Sequence, residues 1–228
     1  MCDIIFEDNQ ILVVVKPQNV PVQSDITGDE DLLGKLKNYL VEKYHKPGSA
    51  YLGLVHRLDR PTGGVMVFAK TSKSAERLCN QIKNKTAQKT YFAVVEGVPR
   101  LKQNHLVNYL KKDEKNNIVK ICPQFEVGAK EAILDYQVLQ SKNGKSLIKV
   151  LLETGRSHQI RVQMASIGCP VVNDQKYGKS VQKGNLALWA TILKFVHPVS
   201  KQLLTFKVIP PVDQAPWKDF DVKKFFDA

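Results

Sequence analysis

Hydrophobic positions change period several times along this chain, and each change predicts an element. The β-branched runs Ile4–Phe6 and Ile11–Lys16, split by the turn Glu7-Asp8-Asn9-Gln10, predict two strands. Lys16-Pro17 ends the second. From 30 to 45 the period turns helical. Leu32, Leu33, Leu36, Leu40, Val41 and Tyr44 share one face, with Asp29 as the expected N-cap. A strand is predicted at Val65–Lys70, then a helix over Ser72–Lys85, with Ser72 capping and Ala75, Leu78, Cys79 and Ile82 inward. Thr90–Glu96 is the next strand. Val107–Leu110 and Ile118–Ile121 predict a hairpin with a charged tip, Lys111–Asn117.

Strands follow at Ala132–Leu139, Ser146–Glu153, Leu186–Val196 and Lys201–Ile209. A helix is expected over Ser157–Ile167, started by Ser157 and stopped at Gly168, and a last helical turn at Val222–Phe226. Hairpin-like strands with three or four helices, and no regular βαβ alternation, predict an α+β fold whose sheet is mainly antiparallel. Without a repeat, low-complexity stretch or linker, residues 1–228 are expected to form a single domain.

Charge adds a partner. The net charge is +12 and the pI near 9.5, so an acidic partner such as nucleic acid fits. Only six of the 34 basic residues are Arg, and four of those stand in two short segments, 56–64 and 154–161. Lys suffices for solubility, whereas the planar Arg fork suits carboxylates, phosphates and base edges. Cys2, Cys79, Cys122 and Cys169 form no CxxC pair, and the five His show no ligand spacing. Neither a metal nor a disulfide framework is therefore expected. The acidic N-terminus is no signal peptide, and no apolar run has the length of a membrane span. A cytoplasmic location is expected.

The first Arg-rich segment is His56-Arg57-Leu58-Asp59-Arg60-Pro61-Thr62-Gly63-Gly64. One carboxylate stands between two Arg on a tight turn, and pattern alone leaves open whether Asp59 does chemistry or merely caps its turn. The second is Thr154-Gly155-Arg156-Ser157-His158-Gln159-Ile160-Arg161, at the start of a helix. Taken alone, His158 reads as a packing or hydrogen-bonding histidine. Hydrolase, NTPase and dinucleotide motifs are absent.

Together these segments resemble a known family. HRLDRPTGGVMVFAK (56–70) is similar to the catalytic motif of the RluA-type pseudouridine synthases, and LLETGRSHQIRVQMASIGCPVVNDQKYG (151–178) resembles their later motif. KTYFAVVEG (89–97) and ILVVVKPQNVPVQ (11–23) match two more, in family order. Gly63 departs from a common Ser and Asn19 from a common Gly. Asn tolerates the left-handed backbone that Gly supplies there.

The resemblance implies the pseudouridine synthase catalytic fold without an S4 module, and isomerisation of uridine in RNA (a stem-loop of rRNA or tRNA) without cofactor. It implies that Asp59 is the essential carboxylate, with Arg161 as the cation that keeps it ionised. By the same resemblance, Tyr91 is expected to stack on the base and Arg57 to fill the gap left by the flipped nucleotide. His56, Lys16 and Arg156 are assigned to the substrate, and a monomer is expected. A catalytically dead RNA-binding relative of the same fold is the competing reading, whereas a glycosidase fails for want of a matching second carboxylate, Glu153 being the nearest to the motifs but not committed to the pocket.

Overall fold

The computed structural model describes residues 2–24, 28–178 and 184–226. Among the described residues, eleven strands and four α-helices give the expected α+β class, and every pair with an assigned register is antiparallel. The chain divides into two compact units, Met1–Ala87 with Ile192–Val208, and Gln88–Thr191 with Ile209–Ala228. No helix among the described residues is long and apolar enough to cross a membrane.

In the first unit β1 (Asp3–Glu7) pairs with β2 (Ile11–Lys16), and β2 pairs with β4 (Gly63–Ala69). The two-residue β3 (Gly53–Leu54) lies on β4. Residues 192–196 of β10 (Leu188–Val196) pair with β11 (Leu203–Lys207). All of β4 and nearly all of β2 are buried, which is why both read as continuous apolar runs. Helix α1 (Leu32–Tyr44) is capped by Asp31, whose carboxylate accepts from Gly34 N at 2.8 Å. The expected cap, Asp29, instead pairs with Arg60.

Helix α2 (Ser72–Lys83) is likewise capped one residue early, by Thr71 accepting from Ser74 N. Cys79, expected inside, is exposed. The inward place goes to Ser74, whose hydroxyl donates to Gln10 Oε1 at 2.8 Å. Glu7 ties this unit together. Its carboxylate accepts from Tyr39, Lys43, Tyr44 and Lys70 at 2.7–2.9 Å.

The second unit contains β5 (Gln88–Glu96), β6 (Gln103–Asp113), β7 (Ile118–Cys122), β8 (Lys130–Lys142) and β9 (Lys145–Leu152), in the order β5-β9-β8-β6-β7. The charged hairpin is β6–β7. Its strands run longer than predicted, so Lys111 and Lys112 lie on β6, and the turn narrows to 114–117. Helix α3 (Gln159–Ser166) packs Val162 on Leu110, Val119 and Ala132. It starts later than predicted. The N-cap is not Ser157 but His158, in left-handed backbone (φ 51°), whose side chain makes no capping bond to the helix. Gly168, at φ 79°, stops the helix as expected. Helix α4 (Val222–Phe226) is the predicted last turn.

Candidate active site

The loop that carries Asp59 is stitched to the segment leaving β2. Lys16 Nζ donates to three carbonyls, Pro17 O (2.8 Å), Arg60 O (3.0 Å) and Thr62 O (2.8 Å). Asn19 N donates to Arg60 O at 2.8 Å, and Gln18 Nε2 to Pro61 O. Asn19 adopts the left-handed conformation (φ 65°) its place in the motif requires. Thr62 N closes the turn on Asp59 O at 2.9 Å. A half-buried Asp59 and an exposed Arg57 therefore stand on a turn fixed from below.

Lys16 is wholly buried. Burial lowers it to about 7, Asp59's charge holds it up, and Arg60's pushes it down. With all three ammonium donors spent on carbonyls, the substrate contact expected of Lys16 has no donor left to make it. His56 also serves the backbone. Its Nε2 accepts from Val67 N of β4 at 3.1 Å, where β3 has already ended. Arg60, exposed, pairs with Asp29 and donates to Asn19 O.

The remaining predicted residues lie in the second unit. Tyr91, buried, is on β5 opposite Val150. Arg161, on α3, is 3% exposed and donates through Nε and Nη2 to the two oxygens of Asp174, both at 2.7 Å. Its guanidinium lies 5.2 Å from the Tyr177 ring centroid. Asp174 Oδ1 also accepts from the backbone of Lys176 and Tyr177. Burial alone would raise this carboxyl, but Arg161 and the two amides hold it below the ordinary carboxylate range. Asp174 lies inside the quoted 151–178 motif, yet its part in orienting Arg161 was missed, because an Asn-Asp pair reads as a turn.

Arg156 is exposed, with its Nε fixed on Glu131 O at 2.7 Å. Gln159 orders that loop, accepting from Arg156 N and Thr154 Oγ1 and donating to Ile133 O. His158 bonds the Tyr177 hydroxyl (2.7 Å), the structural role its isolation suggested. The one trio among the described residues with donor atoms close enough to share an ion is His105, Asp135 and Glu153. Its His and Asp already pair with one another, at 2.8 Å and half exposed. Sequence separations of 30 and 18 hid this trio, which pairing of β6, β8 and β9 brings together.

Residues 10–166 match the model of a family described as RNA pseudouridylate synthase. The chain belongs to that family. It is 34% identical to an RNA pseudouridine synthase of Bacillus subtilis, YlyB, over 218 residues, or 93% of this chain and 70% of that one. It is 33% identical to ribosomal large subunit pseudouridine synthase D of Zymomonas mobilis over 223 residues, 92% and 70% of the two chains. In fold it is similar to human RNA pseudouridylate synthase domain containing 4, with a TM-score of 0.75 at 22% identity, covering 91% of this chain and 88% of the other. Membership makes the chain an isomerase that converts uridine in RNA to pseudouridine.

Proposed function

We propose that Asp59 is the carboxylate that acts on the ribose of the target uridine. The supporting observation is its presentation: a half-buried acid on a turn that Lys16, Gln18 and Asn19 clamp through Arg60, Pro61 and Thr62. Fixing a reacting group this way removes entropy that the reaction would otherwise have to remove. The N1–C1′ bond breaks, the uracil turns, and C5 bonds to C1′. C5 gives up its proton and N1 gains one, so the sum is an isomerisation and the detached base needs no cofactor. Asp59 either attacks C1′ or takes a sugar proton.

In this reading Arg161, oriented by Asp174, keeps Asp59 ionised. Tyr91 stacks on the base and Arg57 fills its vacated place in the RNA. Arg156 holds the backbone. The names of the ribosomal large subunit relatives favour ribosomal RNA over transfer RNA, with the enzyme working as a cytoplasmic monomer. Asp59→Ala is expected to abolish pseudouridine formation, read as carbodiimide-dependent reverse-transcription stops on total RNA. Abundant product from that variant sinks the assignment, and stops confined to transfer RNA overturn the choice of substrate.

A further inference from the structure

Lys89 is the buried cation that the roles above do not use. It lies on β5 two residues before Tyr91, so both side chains leave the same face of that strand. It is 8% exposed. Among the described residues its ammonium has no hydrogen-bond acceptor and no carboxylate. Burial lowers its pKa with no charged neighbour to offset the effect. A desolvated, unpaired ammonium is costly to a fold, so its presence points to an anion that arrives with a ligand.

Gly155 stands directly beside that ammonium. A Cβ built there would lie 3.2 Å from Lys89 Nζ. Gly155 itself is exposed, and its backbone is outside the left-handed region that would demand glycine. The missing side chain therefore leaves an opening over a buried cation. The next residue, Arg156, is exposed and fixed through Nε to Glu131 O. Gln159 and Thr154 hold the loop on both sides.

We propose that Lys89, reached over Gly155 and flanked by Arg156, is a binding site for a phosphate group of the RNA backbone beside the target uridine. The inference rests on the pseudouridine synthase reading and names a substrate contact within it. Lys89 is buried on β5, and its ammonium lies just beneath the exposed Gly155. A phosphate oxygen there gains a charge-assisted bond from an ammonium that gives up no other partner.

The test uses the full chain and an RNA transcript containing the uridine that the wild type modifies. Lys89→Met is expected to weaken binding about 10-fold or more. It is also expected to flatten the slope of log K against log salt by about 0.7. Because it removes an unpaired buried charge, its thermal midpoint is expected to equal or exceed the wild type's. Gly155→Ala keeps the charge but places a methyl group against it, and is expected to raise Kd by a smaller factor. An unchanged salt slope in Lys89→Met, or a fall in its thermal midpoint, overturns the proposal. If Lys89→Met does not fold, unchanged affinity in Gly155→Ala overturns it instead. Failure of the wild type to form pseudouridine in any RNA would count against the activity, whereas an active wild type with an indifferent Lys89→Met counts against this site alone.

Discussion

Two lysines of this chain are almost stripped of water, and their surroundings differ. Lys16, in the first unit, has an acceptor for each of its three N–H bonds, all carbonyls of the two segments it joins. Lys89, in the second, has none among the described residues and sits under a glycine. Burial lowers the pKa of both. What separates them is satisfaction. A buried cation with a full set of partners holds a loop together, and a buried cation without them is kept for something that binds.

The largest effect that tests this contrast is on stability. Lys16→Met leaves the carbonyls of Pro17, Arg60 and Thr62 short of a donor. It is expected to cost on the order of 3 kcal/mol in a denaturant titration and to abolish turnover as the Asp59 turn loosens. Equal stability of Lys16→Met and Lys89→Met would erase the distinction.

Next comes Glu7, the buried anion that repeats the Lys16 pattern with opposite sign. Burial would raise it, but bonds from Lys43, Lys70, Tyr44 and Tyr39 hold it at about 2. Glu7→Gln is expected to cost about 2 kcal/mol at neutral pH. Glu7's contribution is present above its ordinary value of 4.5 and is lost as pH falls through about 2. The gap between variant and wild type should therefore close in acid, and a constant gap there would refute the role.

The smallest effect is the pH dependence of Lys16 itself. Its folded value of about 7 lies below the ordinary 10.5, so between those limits the unfolded chain binds the proton more tightly. Stability from this group therefore rises with pH across that window, by roughly 1 kcal/mol between pH 7 and 8. Lys16→Met should lack the rise. A parallel rise in both proteins would assign it to other groups.

Much of the site was legible because its signals are local. Asp-Arg-Pro-Thr-Gly-Gly spells a tight turn wherever it folds, and Asn19 announced a left-handed backbone that the structure has. The α+β class followed from strand and helix order. Helix starts were less legible, because Asp29, Asp31, Ser72, Thr71 and Ser157 are all competent caps. Tertiary bonds decide among them, as Arg60 does by engaging Asp29. The clamping role of Lys16 and the isolation of Lys89 were invisible for a related reason. A lysine in a strand reads as surface, and the acceptors that complete the set around Lys16 come from Arg60 and Thr62, 44 and 46 residues away.

The division of the chain also governs the order in which it can be built. Residues 1–87 of the first unit complete part of their packing against 192–208. Arg77 donates to Pro198 O, Gln81 exchanges bonds with Val196, and the Phe6 ring lies 5.5 Å from that of Phe206. On a ribosome, the strands that emerge first must wait more than a hundred residues for these contacts, while most of the second unit is already available to fold. The turn bearing Asp59 thus belongs to the part of the molecule that is completed late, and no single cut in the chain yields either unit whole.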